Sequence, residues 1–414
     1  RGGGTGTNGQ SLTDGIIIDC SRHMNDIREL NLEQGWVKVG PGVVLDQLND
    51  FLRPHGVFFA PNLSPSSRAT LGGMINTDAC GKGSRVYGRT SDHLLELSCL
   101  LSNGEELHSV PLNPKELTDW KEASGRTGDV YRVVDEIVCR QAELIEEVFP
   151  KMSRFMTGYN LARVYSNDQR PIFNLNYLLA GSEGTLAVVH EAKLRLTPLP
   201  AFQELIVVKY ESFDDALRAA GILVQSDPTA IETVDEKILG LAREDEIYHK
   251  VKDFVADEGS RPTRTINLVE FSGNEKSVVS AKVDQLAKII HERKEISGEA
   301  TGFYRTDIPE EIRDLWNLRK KGVGLLGNTK GRRKPIPFVE DTAVPPENLA
   351  AYIREFRDLL ESFGLEYAMF GHVDVGCLHV RPALDLKTTE DEEIVRKISD
   401  EVCRLVRKYG GVMW

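Results

Sequence analysis

Five of the first nine residues, RGGGTGTNG, are glycine (Gly2, Gly3, Gly4, Gly6 and Gly9), and the residues directly after them limit the folds open to the chain. Read as Gly4-x-Gly6-x-x-Gly9, the cluster is a dinucleotide fingerprint, which needs a helix directly after the glycines so that its N-terminus meets the pyrophosphate. The segment QSLTDGI leaves no room for that helix. Asp14-Gly15 is a turn signal, and Ile16-Ile17-Ile18 reads as a β-branched buried strand. A glycine loop between extended segments can still hold a pyrophosphate, because successive backbone N–H groups form an anion-binding nest without a helix dipole. The loop therefore predicts a dinucleotide held outside a Rossmann fold; standing alone it would read as a flexible glycine-rich segment.

Residues 61–93, PNLSPSSRATLGGMINTDACGKGSRVYGRTSDH, bring Gly72-Gly73, Asn76-Thr77 and Gly81-x-Gly83, with little room for regular structure. Leu71, Met74, Ile75, Val86 and Tyr87 punctuate the stretch with core-forming side chains, which argues against disorder. A third cluster, Gly181-Ser-Glu-Gly184-Thr, closes the apolar residues 177–180 and precedes an expected strand over 186–196. Three glycine loops between residues 2 and 184 predict a long ligand, wrapped by backbone where side chains would clash.

A chain of 414 residues predicts two domains. With 41% apolar and 28% charged residues it has the composition of a soluble globular protein. A net charge of −12 argues against a nucleic-acid surface, and no apolar run approaches the roughly twenty residues of a membrane helix. The basic run 330–334, KGRRK, reads either as a solvated loop or as an anion trap at a substrate mouth. Cys20, Cys80, Cys99, Cys139, Cys377 and Cys403 lack paired spacing, as reduced thiols of a cytoplasmic protein do, and cannot by themselves hold an iron–sulfur cluster. The chain starts inside a motif without Met and stops at GGVMW, so it is expected to be part of a longer protein.

Element signals divide at Pro198-Leu-Pro200, giving domains over 1–199 and 200–414. The first half carries a helix over 44–55 ending at Gly56, strands around a hairpin turn at Asn103-Gly104, and a helix over 130–149 from Val130, Val133, Val134, Ile137, Val138, Leu144 and Val148. In the second half, a strand over 205–210, a helix over 213–225 capped by Ser212 and a strand over 231–234 form one unit. Strand 265–271, helix 277–293 and strand 300–305 repeat it. A third pass runs through strand 338–342, a proline-initiated helix to 363, and strands 367–370 and 377–381. Recurrent β-α-β units with hairpins predict an α+β domain of ferredoxin-like type. His372 and His379 are seven apart. One strand would put them on opposite faces, whereas a turn at 374–376 returns both to one point, an arrangement suited to Zn²⁺ or a similar ion. Most histidine pairs are structural or surface groups, which is the alternative.

RGGGTGTNG, TLGGMINTDACGKGSRVYG and GSEGTLAVVHEAKLRLTPLP, in that order, resemble the flavin-binding motifs of the vanillyl-alcohol-oxidase type. FGHVDVGCLHVRP resembles the metal motif of its FAD-linked D-2-hydroxyacid dehydrogenase branch, so the likeness covers nearly the whole chain. FVEDTAVPP and AMFGHVD are similar to phrases of the large bacterial D-2-hydroxyglutarate dehydrogenases, which carry a fused iron–sulfur domain. The resemblance implies an α+β protein with a VAO/PCMH-type FAD-binding domain and a ferredoxin-like substrate (cap) domain. It implies non-covalent FAD at Gly2, Gly3, Gly4, Thr5, Gly6, Thr7, Asn8, Gly9, Pro61, Thr70, Leu71, Gly72, Gly73, Asn76, Thr77, Ala79, Gly81, Glu183, Gly184, Val188 and Val189. It also implies a divalent metal, zinc, on His372 and His379. The glutamate that completes this site in relatives has no match after Gly411, so a third ligand is expected past Trp414 or not at all. Asp374, Val375 and Cys377 depart from the usual Gly, Asp and Asn.

Arg319, in DLWNLRKKG, matches the arginine that clamps the substrate carboxylate in this family; a helix-surface role beside Lys320 and Lys321 is the alternative. Arg381 stands where relatives touch substrate with an asparagine and could fork onto a distal carboxylate or form a surface salt bridge. Lys334 is a further candidate cation. The implied activity is FAD-dependent oxidation of a D-2-hydroxyacid, foremost D-2-hydroxyglutarate to 2-oxoglutarate. D-lactate or glycolate oxidation, or a flavin-binding electron-transfer module without turnover of its own, are the alternatives. The implied partners are a small hydroxyacid and an electron acceptor, an iron–sulfur domain outside this chain or a quinone-linked protein. No nucleic acid and no membrane span are expected, a homo-oligomer is compatible, and the location is cytoplasmic or membrane-peripheral through the acceptor.

Overall fold

The structure is a computed structural model that describes residues 1–7, 9–155, 158–166, 171–294, 296–327 and 331–413. By its packing the chain divides into two units. The first comprises Arg1–Gly81, Tyr87–Lys151 and Met156–Leu199; the second comprises Pro200–Trp414 with two short segments, Lys82–Val86 and Met152–Phe155.

The first unit contains β1 (Ile27–Asn31), β2 (Trp36–Val39), α1 (Leu45–Leu52), α2 (Leu71–Asn76), β3 (Leu94–Leu100), β4 (Glu106–Ser109), α3 (Gly125–Arg140) and β5 (Val188–Arg195). Its sheet runs β1-β2-β5-β3-β4, with every pair antiparallel. Val37, Val39, Leu97, Ala192 and Leu194 meet Leu45, Leu48 and Leu52, an i, i+3, i+7 stripe, in one core.

Three expectations change here. Ile16, Ile17 and Ile18 are exposed and form no strand, because β-branched side chains make a ladder only where another strand lies alongside. The helical pattern over 130–149 is two helices, α3 and Ala142–Val148. They bury Tyr131, Val134, Val138 and Ile145 and leave Val133, Ile137, Leu144 and Val148 exposed, since only one of the two apolar faces in the pattern meets the core. Residues 61–93 include α2 and the helical turn Ser84–Tyr87, so the Gly72-Gly73 pair sits in a helix whose N-cap is Thr70.

The second unit contains β6 (Phe202–Tyr210), α4 (Phe213–Gln225), β7 (Ala230–Val234), α5 (Glu236–Arg243), β8 (Thr265–Gly273), α6 (Lys276–Arg293), β9 (Gly302–Thr306) and α7 (Pro309–Gly327). After these come β10 (Lys334–Pro335), β11 (Thr342–Ala343), α8 (Leu349–Ser362), β12 (Tyr367–His372), β13 (Cys377–Leu384), α9 (Thr389–Lys408) and β14 (Val412–Met413). Among the described residues the sheet order is β9-β6-β8-β7-β12-β13-β11-β14, with β10 beside β13. Ser212 caps α4 by accepting the Asp215 N–H, as its position predicts. Along β6, Ile206, Val208 and Tyr210 face the cluster built on α4, α6, α8 and α9, while Leu205 and Val207 face the one built on α5 and α7. Helices on both faces explain why the strand is buried almost throughout. The strand expected over 338–342 shrinks to β11, and Phe338–Asp341 form no ladder.

Candidate functional site

In the first unit the three glycine clusters converge on α2. A Cβ on Gly2 would lie 1.8 Å from Thr70 Oγ1, and one on Gly3 would lie 2.0 Å from the Arg68 carbonyl oxygen, so the first loop lies directly on the second. The third loop docks on the end of the same helix, where Gly181 N donates to Ile75 O at 2.9 Å and Glu183 N donates to Asn76 O at 2.8 Å. Asn76 Nδ2 donates to Gly72 O, whereas its Oδ1 is buried without a partner among the described residues. Pro61, Thr70, Leu71, Gly72, Ala79 and Gly81 are buried; Gly4, Gly6, Thr7, Gly9, Glu183 and Gly184 are exposed. Val188 and Val189 pair with Leu100 and Cys99 inside the sheet, and the Val189 side chain packs in the core. Asn8 lies outside the described residues.

The second site arises from strand register. Glu232 of β7 stands opposite His372 of β12, and on β13 His379 is opposite Phe370 and Arg381 opposite Ala368. The two-residue period of strands puts Glu232, Phe370, His372, His379 and Arg381 on the face shared with Val234 and Ala368, which is the face covered by α7. On α7, Ile312 and Leu315 enter that core, and Arg319, one turn beyond Leu315, stays buried at its border. The turn Val373–Gly376 reverses the chain between the two histidines. Gly376 has φ 70°, and a Cβ there would lie 1.8 Å from Val344 O, so only glycine fits.

This reversal brings His372 Nε2 and His379 Nε2 to 3.4 Å. His372 Nδ1 bonds Glu232 Oε1, and His379 Nδ1 lies 3.2 Å from Asp341 Oδ1. With both Nδ1 atoms donating to carboxylates, the two Nε2 lone pairs face each other, an arrangement that a shared cation relieves. Two imidazoles on one tetrahedral Zn²⁺, at about 2.0–2.1 Å each, place their nitrogens about 3.3 Å apart, which agrees with the observed separation. Glu340, Asp341 and His379 also offer ligand atoms within 4.8 Å of one another. The ring pair thus has carboxylates beside it from upstream strands and loops, whereas the sequence reading placed a third ligand past Trp414 or nowhere.

Glu232 Oε2 accepts from Arg319 Nε at 2.9 Å. The Arg319 guanidinium lies 4.5 Å from the Phe370 ring centroid, and its Nη1 is buried without a partner among the described residues. Arg381 forks onto Glu340 at 2.8 Å through both Nε and Nη2 and stands 5.7 Å from the same ring. Its charge is therefore already matched within the chain. Arg154, a buried residue of the Met152–Phe155 segment, donates to Ser84 Oγ, and its charge acts on Asp341, His372 and Asp374.

Burial would raise the Glu232 carboxyl, but His372 and Arg319 outweigh it and hold it well below the usual range. Burial pushes His372 down to about 3, so at neutral pH its ring is uncharged, as a metal ligand requires. Burial likewise pushes Asp374 up to about 7, and its Oδ2 has no partner among the described residues.

Lys334 is exposed on β10, opposite Leu384. In the same basic run Arg332 binds Asp385 at 3.0 Å and Arg333 binds Asp391 at 2.9 and 2.6 Å, while Lys330 lies outside the described residues. Both arginines of the run are thus tied to acidic partners. Glu232 and Arg154 lie outside every motif singled out in the sequence, and Glu340 and Asp341 lie inside the phrase FVEDTAVPP, which carried no role for either side chain. A glutamate inside the apolar run AIETV was the available signal, because a charge in a buried strand needs a partner.

The family described as FAD linked oxidases, C-terminal domain, matches residues 199–414, and the one described as FAD binding domain matches residues 1–109. A D-2-hydroxyglutarate dehydrogenase of Pseudomonas putida is 53% identical over 414 residues, which are 100% of this chain and 41% of the relative. One from Escherichia coli is 50% identical over 418 residues, again 100% of this chain and 41% of the relative. The chain therefore spans about two-fifths of the length of these curated relatives. Among solved structures, alkyldihydroxyacetonephosphate synthase superposes with a TM-score of 0.63 at 16% identity, covering 99% of this chain and 67% of that one, a likeness of fold alone.

Proposed function

The chain belongs to the FAD-linked oxidases, and from that premise we propose that it carries the flavin and substrate sites of an enzyme oxidising D-2-hydroxyglutarate to 2-oxoglutarate. The observation that carries the reading is the pair of guanidiniums, Arg319 and Arg381, at one Phe370 ring beside two imidazoles whose Nε2 atoms face each other at 3.4 Å. A 2-hydroxyacid dianion needs a cation for each carboxylate and a group that polarises its hydroxyl. Arg319 offers its Nη edge to the C1 carboxylate, which gives the buried Nη1 donor an acceptor that it otherwise lacks. Arg381 takes the distal carboxylate in exchange for part of its hold on Glu340, with Lys334 the more distant candidate.

His372 and His379 hold a divalent cation, zinc being the choice for neutral imidazoles, and Glu232 and Asp341 keep the proton on each Nδ1 so that each Nε2 is free to ligate. When bound, the cation would supply Lewis acidity at the 2-hydroxyl and the flavin would supply the two-electron acceptor for the hydride leaving C2. The glycine loops around α2 are the proposed seat of non-covalent FAD, with the Asn76 Oδ1 acceptor available to it.

The names of the relatives at 53% and 50% identity support the dicarboxylate over lactate. We place the electron acceptor outside these residues, in an iron–sulfur domain or a quinone-linked protein, because the six cysteines are scattered along the sequence without the spacing of a cluster motif. The same scattered spacing supports a cytoplasmic protein, or one touching the membrane only through its acceptor. Among the described residues no helix is long and apolar enough to cross a membrane.

The test compares kcat/KM for D-2-hydroxyglutarate and D-lactate in the wild type and in Arg381→Ala. The wild type should prefer the dicarboxylate. The variant should lose about 2–3 kcal/mol, roughly 30- to 150-fold, on that acid alone. Equal efficiency on both acids, or an equal loss on both, would refute the distal pocket.

A further inference from the structure

Arg319 and His372 lie 87 and 140 residues from Glu232 in sequence, yet both bind its carboxylate. Glu232 is 2% exposed, and each of its oxygens has one partner here: Oε1 takes His372 Nδ1 and Oε2 takes Arg319 Nε. The register that sets Glu232 directly opposite His372 leaves the carboxylate little freedom to follow one partner without moving the other. Resting on the roles given above to Arg319 and the imidazole pair, we propose that Glu232 is a positioning residue that couples the grip on the substrate carboxylate to the grip on the metal.

The chemistry of a shared carboxylate acts in two ways. On Nδ1 it fixes the tautomer and raises the basicity of the ligating ring, so its loss weakens the metal. It also fixes the rotation of Arg319 about Nε, so a change on the arginine side reaches the metal through one shared group. Coupling of this kind is reciprocal for binding free energies.

Glu232→Gln is the direct probe. Its amide keeps the size of the side chain but presents an NH₂ to one of the two donors. In the full-length, flavin-loaded protein, Zn²⁺ affinity measured by chelator competition should fall roughly 10- to 100-fold while flavin content stays unchanged. Arg319→Lys keeps the charge but removes Nε. It should change Zn²⁺ affinity several-fold when Glu232 is present and leave it unaltered in the Glu232→Gln background. Should Glu232→Gln fail to fold, the single Arg319→Lys variant still decides, since unaltered metal affinity there would overturn the coupling. Wild-type affinity in Glu232→Gln would overturn it as well. A wild-type protein that binds no Zn²⁺ would instead remove the metal reading on which the coupling rests, so the two failures are distinguishable.

Discussion

Replacing Gly376 by alanine tests whether the turn between the histidines builds the site. Two separate costs apply. A side chain at φ 70° costs about 1–2 kcal/mol from the left-handed backbone alone. The new Cβ would also lie 1.8 Å from Val344 O, and relieving that contact needs a backbone shift of roughly 1.5 Å. Overpacking of this kind adds about 1–3 kcal/mol, for a total of about 2–5 kcal/mol. The shift falls where Val344 N donates to Gly376 O, at the hinge that sets the 3.4 Å separation of the rings, so metal affinity should fall as well. Gly364→Ala is the control. Gly364 has φ 65° but open space around a Cβ, so that variant should show only the first cost and no change in metal affinity. Urea denaturation of both variants, with chelator competition on the folded proteins, separates the terms. Equal destabilisation by the two changes, with metal affinity intact in Gly376→Ala, would refute the steric account of the turn.

His372→Ala and His379→Ala should each abolish stoichiometric metal while leaving flavin content unchanged, checked by elemental analysis against flavin absorbance. Asp374→Asn should stabilise the metal-free protein at pH 8. The native carboxyl titrates near 7 against 3.8 for an unburied aspartate, so over that interval the native state binds more protons and stability falls as pH rises. At about 1.4 kcal/mol per unit over roughly three units, the asparagine variant should gain up to about 4 kcal/mol at pH 8 and nothing near pH 4, read from denaturation curves at both pH values. Gly73→Val should give folded but flavin-free protein, because the first carbon of the new side chain is tolerated, meeting only Thr70 Oγ1 at 3.4 Å, while the position belongs to the glycine cluster proposed to hold FAD. Retained flavin in that variant would exclude Gly73 from the lining.

The sequence was legible where a local signal governs. Ser212 capping α4, Gly376 closing the turn between β12 and β13, and the apolar runs that became β6, β7 and β8 each carry their instruction within a few residues. Ile16–Ile18 misled because a strand depends on a partner that the run itself does not encode. The site was legible only in part for the same reason. His372 and His379 sit close in sequence, but Glu232 joins them through antiparallel register across 140 residues, and Asp341 reaches His379 across 38. Arg381 read in the sequence as either a clamp on a distal carboxylate or a salt-bridge partner, and only the fold shows it forked onto Glu340, 41 residues upstream. Pairings of that range depend on topology, which no motif spells out.

The most direct measurement is an anaerobic titration of the full-length, flavin-loaded protein with D-2-hydroxyglutarate. The account predicts bleaching of the oxidised flavin band with one 2-oxoglutarate formed per flavin reduced, and much weaker bleaching by D-lactate at equal concentration. Unchanged flavin absorbance in the presence of excess D-2-hydroxyglutarate and Zn²⁺ would contradict it.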